Sequence, residues 1–209
     1  DKKQLGKTTV QYFTKIDYEP SADATVYGIV LCEGSPVADA VISDGVLVTK
    51  TNENGIYEMP SAKDYGYVFI SVPGGYTVPC KGILPQNFVT LTKGVKECER
   101  ADFQLLKVEN QDRFKLLVFG DMHLANRNDD KAQFRYFIND VNAYVAANKG
   151  QNLYGITLGD MTWDLYWYDN KFCFEEYLDI AKDINLQINH TIGNHDHDMN
   201  AAGDFATVT

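Results

Sequence analysis

The sequence predicts two domains, an all-β sandwich followed by an α/β domain, on two observations. From about Ala24 to Val108, β-branched and aromatic runs are short and broken by turn residues. After Asn110, continuous apolar runs alternate with segments of helical periodicity. The expected division is 1–23 as an N-terminal extension or edge strand, 24–108 as the sandwich and 109–209 as the α/β part. A chain of 209 residues has room for two small domains of this kind.

In the first domain, ATVYGIVLCE (24–33) reads as a strand that ends at the turn-like EGSP. The stretch from Val37 to Met59 carries Val41, Val46 and Val48 around Asp44-Gly45, then meets Asn54-Gly55 between apolar runs, a hairpin signal. GYVFISV (66–72) stops at Pro73-Gly74-Gly75, and ADFQLLKV (101–108) supplies a last strand. Short strands at this spacing predict a small antiparallel sandwich.

In the second domain, KLLVFGD (115–121) is a continuous apolar run, as expected for a strand covered on both faces. Residues 129–150 place Phe134, Phe137, Ile138, Val141, Tyr144 and Val145 at helical spacing, between an Asp-rich start and Gly150. LYGITLGD (153–160) is a second strand, 171–184 a second helix, and LQINHTIGN (186–194) a third strand. Strands alternating with helices indicate an α/β sheet, whose ligands bind at the carboxyl ends of the strands.

Those ends carry the chemistry, because each finishes in Gly-Asp or Gly-Asn. The first brings Asp121 and His123, two residues apart and so on one side of extended backbone. The second brings Asp160, with Asp164 four residues on, and the third brings Asn194 and His195. Singly, each is explained by turn chemistry or a solvated loop. Jointly, carboxylate, imidazole and amide are donors suited to Mn, Fe, Zn or Co.

D-x-H, then G-D with its Asp 39 residues after Asp121, then G-N-H-D with its Asn 34 residues further on, resembles the calcineurin-like metallophosphoesterase family. The resemblance covers about Lys115 to Asp196. It implies a four-layer αββα fold of which this chain carries the first half. It also implies two metal ions, with Asp121 and His123 on one, Asp160 bridging and Asn194 on the second. His195 would be the proton donor and Asp164 its orienting carboxylate, although Asp164 stands one position later than in the family's usual G-D-x-x-D form and no Arg follows it. The implied activity is hydrolysis of phosphomono- or phosphodiesters by a metal-bound hydroxide. Further family ligands, one His and a G-H-x-H pair, are expected from later strands. Past Asp198 this sequence has no histidine, so the chain as given is expected to be weakly active or inactive and to associate through an exposed half-sheet.

VYGIV, SPVADAVISDG and TNENGIYEM resemble the transthyretin-like or carboxypeptidase-regulatory-like sandwich, a likeness of fold without chemistry. This domain order is similar to that of bacterial exported phosphoesterases, which implies a periplasmic or otherwise exported location. The alternative is a non-catalytic module that binds glycan or envelope protein beside a relic hydrolase domain.

The net charge of −10 argues against binding a nucleic-acid duplex. From 111 onward, fifteen acidic residues face eight basic ones, in keeping with a cation site within a largely solvated acidic surface. No apolar run reaches membrane-spanning length. Cys32, Cys80, Cys98 and Cys173 lack C-x-x-C spacing, leaving a Cys80–Cys98 disulfide or separate buried thiols. Residues 196–207 fail as a calcium loop, with Ala201 where Gly is needed and Thr207 where Glu belongs. His190, inside a strand, reads as a core histidine, and His197 and Asp198 as rim or solvent residues. Trp163 and Trp167, in an aromatic-rich stretch after Asp160, are candidates for a substrate-stacking wall.

Overall fold

A computed structural model of the chain describes residues 16–127, 129–163 and 172–196. The first strands are β1 (Val26–Cys32), β2 (Ser35–Pro36), β3 (Val41–Ser43), β4 (Val48–Lys50), β5 (Ile56–Met59), β6 (Tyr67–Ser71) and β7 (Tyr76–Thr77). Next come β8 (Cys80–Lys81), β9 (Leu84–Pro85), β10 (Phe88–Thr90), β11 (Glu99–Arg100) and β12 (Phe103–Lys107). The remainder is β13 (Phe114–Phe119), α1 (Asp130–Ala147), β14 (Asn152–Thr157), α2 (Phe174–Ala181), β15 (Ile188–Asn189) and a 3₁₀ turn at Asn194–Asp196. The described residues form two compact units, one of which combines Cys80–Pro85 with the described residues from Asp112 onward.

The other unit is a β-sandwich. One sheet runs β11-β1-β12-β7, with β2 and β5 also on β1, and the second runs β10-β6-β3-β4. Alternate residues meet in the core, among them Val26, Val30, Ile42, Tyr57, Val68, Ile70, Phe103 and Leu105. Two features depart from the sequence reading. The sandwich is not purely antiparallel: β1 pairs in parallel with β11 and β12, because the chain returns beside its first strand only after building the other sheet. Asn54-Gly55 is a tight turn but not a hairpin, since β4 pairs with β3 and β5 pairs with β1. The Asn52 side chain closes the turn by accepting from Asn54 and Ile56 N–H groups. Gly55, at φ +72°, then accepts the Val30 N–H, so the turn carries the chain from one sheet to the other.

A buried ion pair ties the last loop of the sandwich. The Lys63 ammonium is 3.2 Å from Glu99 and donates to the carbonyls of Lys93, Gly94 and Glu97. Burial works against the Glu99 carboxylate, but N–H groups of Lys93 and Thr92, the Thr92 hydroxyl and Lys63 outweigh it and hold its pKa down to about 2. A depressed carboxylate stabilises the fold above its ordinary value near 4.5, and that contribution is lost as pH falls toward 2. Lys63→Met, which strands a buried carboxylate, is expected to cost about 3–5 kcal/mol. It should also flatten the acid side of the stability curve; urea unfolding of the sandwich between pH 7 and pH 2.5 measures both.

In the second unit β13, β14 and β15 pair in parallel, with Leu117 opposite Gly155 and Gly155 opposite Ile188. Phe119, Phe134, Ile138, Val141, Tyr177, Ile180 and Ile188 form its core with the two helices. The expectation that β13 is covered on both faces is not met among the described residues. Phe114, Leu116 and Val118 are all about half exposed or more, because only the alternate face meets the helices. The far edge of the sheet is covered from an unexpected place. Ile188 donates its N–H to the Ile83 carbonyl (2.9 Å), and Ile83, from the loop between β8 and β9, is buried in this unit's core. The cysteines are all free thiols, Cys80 lying in the α/β unit and Cys98 in the sandwich. Burial raises the Cys80 thiol to about 11. No helix among the described residues is long and apolar enough to cross a membrane.

Candidate metal centre

The three strand ends lie side by side because parallel pairing brings the ends of β13, β14 and β15 to one edge. Beyond the sheet, backbone bonds continue the alignment. The His123 N–H donates to the Asp160 carbonyl (2.9 Å), Leu124 to Met161 (3.0 Å) and Trp163 back to Leu124 (3.0 Å). The third end joins through the His195 N–H, which donates to Oδ1 of Asp160 (2.9 Å).

Two glycines permit this approach. A Cβ on Gly159, at φ +96°, would stand 2.6 Å from the Gly193 backbone, and one on Gly193 would stand 2.1 Å from Asp160 Oδ1. The second and third strand ends are therefore in backbone contact. Asp196, fully buried, fastens the same junction by accepting from the Gly193 N–H (2.9 Å) and from the N–H (2.8 Å) and hydroxyl (3.1 Å) of Thr162. It buttresses its own loop and also the loop before it.

Side-chain donors from three ends converge. One ligand atom each from His123, Asp160 and His195 lie within 4.8 Å of one another. Asp121, its side chain largely exposed, is 3.8 Å from Nε2 of His123. Asn194 is exposed and opens the 3₁₀ turn that presents His195. Asp121 and His123 come together differently from the extended arrangement expected. Both are left-handed, at φ +46° and +45°, and Asp160 is too at +51°. Non-glycine residues in that region are strained and concentrate at functional sites, where surrounding bonds hold them.

The donors fit a metal ion on a further observation: Nδ1 of His123 is buried and has no hydrogen-bond partner among the described residues. A buried unpaired ring nitrogen is costly, and an ion is one group that satisfies it. Imidazole and carboxylate at this spacing suit a borderline transition ion.

The other sequence candidates divide. Trp163 is in the site, its ring stacked on His195 and edge-on to His123. Asp164, Trp167, His197 and Asp198 lie outside the described residues. His190 faces the α2 core, 3.0 Å from the Tyr177 hydroxyl, and burial lowers its pKa, in keeping with a core histidine. Sequence reasoning missed Arg127, whose guanidinium donates to the His123 carbonyl (2.8 Å) and to Asp130 (2.9 Å) and lies 5.5 Å over the Trp163 ring. Its only signal is a cation four residues after His123, a spacing too common to be informative.

Residues 24–108 match the family model described as the N terminal of calcineurin-like phosphoesterase, which supports a relationship to that family. Neither the curated proteins nor the solved structures give a match.

Proposed function

We propose that the chain carries metal ligands of a phosphoester hydrolase that works on phosphomono- or phosphodiesters with two metal ions. The observation that carries this reading is the convergence of His123, Asp160 and His195, one from each strand end, within 4.8 Å. The family match over residues 24–108 supports it independently, from a different part of the chain.

Asp121 and His123 would hold one ion, Asp160 would be shared, and Asn194 would serve the second. Bound ions of this kind polarise phosphoryl oxygens and make a hydroxide nucleophile accessible near neutral pH. The role of His195 is to donate a ring proton to the leaving oxygen, so that an alkoxide need not depart unprotonated. Its backbone is fixed for that task by the bond to Asp160 and by the 3₁₀ turn. Asp160 would therefore have two duties, its side chain holding an ion while it accepts the N–H of His195.

The test is metal content and hydrolysis on chelator-stripped protein reloaded with Mn, Fe, Zn or Co. Asp160→Asn is expected to weaken metal binding by more than about 100-fold, since even outer-layer partners of metal ligands are worth about 10–100-fold. Hydrolysis of aryl phosphate mono- or diesters should follow metal content and be inhibited competitively by inorganic phosphate. Equal metal binding by the wild type and Asp160→Asn would sink the metal centre. Metal-dependent hydrolysis indifferent to phosphate would point to another bond, such as an amide.

A further inference from the structure

The Trp163 ring touches three residues of the site at once. Its plane is within 9° of the His195 ring at a centroid distance of 5.1 Å, and it stands edge-on to His123 at 4.6 Å. The two imidazoles are themselves 4.8 Å apart and nearly perpendicular. The Arg127 guanidinium lies over the indole at 5.5 Å and bonds to the His123 carbonyl, joining the indole to the first strand end a second time.

An imidazole ligand is ordinarily oriented by a hydrogen bond to its other ring nitrogen. At His123 that device is missing among the described residues, where Nδ1 has no hydrogen-bond partner and Nε2 has Asp121 at 3.8 Å. Ring packing must do the orienting instead. Resting on the hydrolase reading, we propose that Trp163, held by Arg127, is the positioning residue that fixes the His123 imidazole in its metal-binding orientation and the His195 imidazole beside it in its proton-donating one. Edge-to-face and offset-stacked contacts restrict ring rotation, so both imidazoles are set before an ion arrives. An indole so engaged on His195 also has less free surface for a substrate than the stacking wall expected from the sequence.

Proton NMR of the metal-free protein tests this first, because the indole ring current displaces the imidazole signals of its neighbours. In Trp163→Leu, which keeps apolar bulk but no ring, the His123 and His195 signals should move. The His190 signal, packed on Tyr177, should not, which also reports an intact fold. Co(II) titration followed by visible absorption is the second readout. Trp163→Leu is expected to weaken Co(II) binding by about 10–100-fold. Trp163→Phe should recover most of the loss, and Arg127→Ala should give a smaller loss in the same direction. Unmoved imidazole signals in Trp163→Leu, or Co(II) affinity equal to wild type, would overturn the positioning role and leave the metal centre standing. A Trp163→Phe protein that binds Co(II) no better than Trp163→Leu would likewise overturn it. If the wild type itself takes up no Co(II), the hydrolase reading and the positioning role fall together.

Discussion

Gly193→Ala is expected to reduce Mn or Co affinity by about 100-fold or more, an effect comparable with losing a ligand. The added methyl would sit 2.1 Å from Asp160 Oδ1, 2.4 Å from its nitrogen and 2.7 Å from Cγ. No rotamer relieves all three, because one of the clashing atoms is backbone. The third strand end must then move away from the second, breaking the bond from the His195 N–H to Asp160 and withdrawing the proposed ligand Asn194 together with His195. The helices and β13 lie outside this junction, so their amide protection should persist while metal binding fails. Gly120→Ala is the control. Among the described residues its Cβ would meet Leu158 alone, at an ordinary 3.8 Å, so metal affinity should be nearly unchanged. Isothermal titration of the two variants decides the matter, and equal losses would mean that the glycines act through general flexibility rather than close approach.

Ile83→Asp is expected to unfold the α/β unit while leaving the sandwich intact. Ile83 is buried among the core side chains of that unit, and its carbonyl takes the N–H of Ile188 on the edge strand. Truncating such a residue to Ala costs about 2–5 kcal/mol. Burying an unpaired carboxylate costs more, which is enough to exhaust the stability of a small unit. Hydrogen exchange resolves the prediction by peptide. Segments from β13 and β14 should lose protection, and those from β1 and β6 should keep it. Loss of protection in the sandwich instead would show that the β8–β9 segment is integral to the first unit.

The positions of the candidate residues were legible because they stand in short, local motifs. Asp121-x-His123, Gly159-Asp160 and Gly193-Asn194-His195 each sit at the end of an apolar run, and parallel pairing brings run-ends together whatever the connecting helices contain. The helices were equally readable, since 129–150 keeps one apolar stripe and α1 buries Phe134, Ile138 and Val141 from it. The apolar run of β13 suggests cover on both faces, and the structure differs for a related reason, leaving open a face of the half-sheet. An apolar run records that a strand could be buried on both faces, and Phe114, Leu116 and Val118 show one face left open among the described residues.

By itself the sequence determined the two-part organisation, the order of strands and helices around the site, and which donor types stand at each strand end. These follow from periodicity and from residues adjacent in the chain. Tertiary structure alone decided that Asn54-Gly55 switches sheets, that Ile83 belongs to the other unit's core, and that Trp163 leans on both imidazoles. It also separated three glycines that look alike in sequence, since only Gly159 and Gly193 face another backbone. The physical reason is common to all four: each depends on what approaches from far along the chain, and close approach across 25 or more residues leaves no mark on the local pattern.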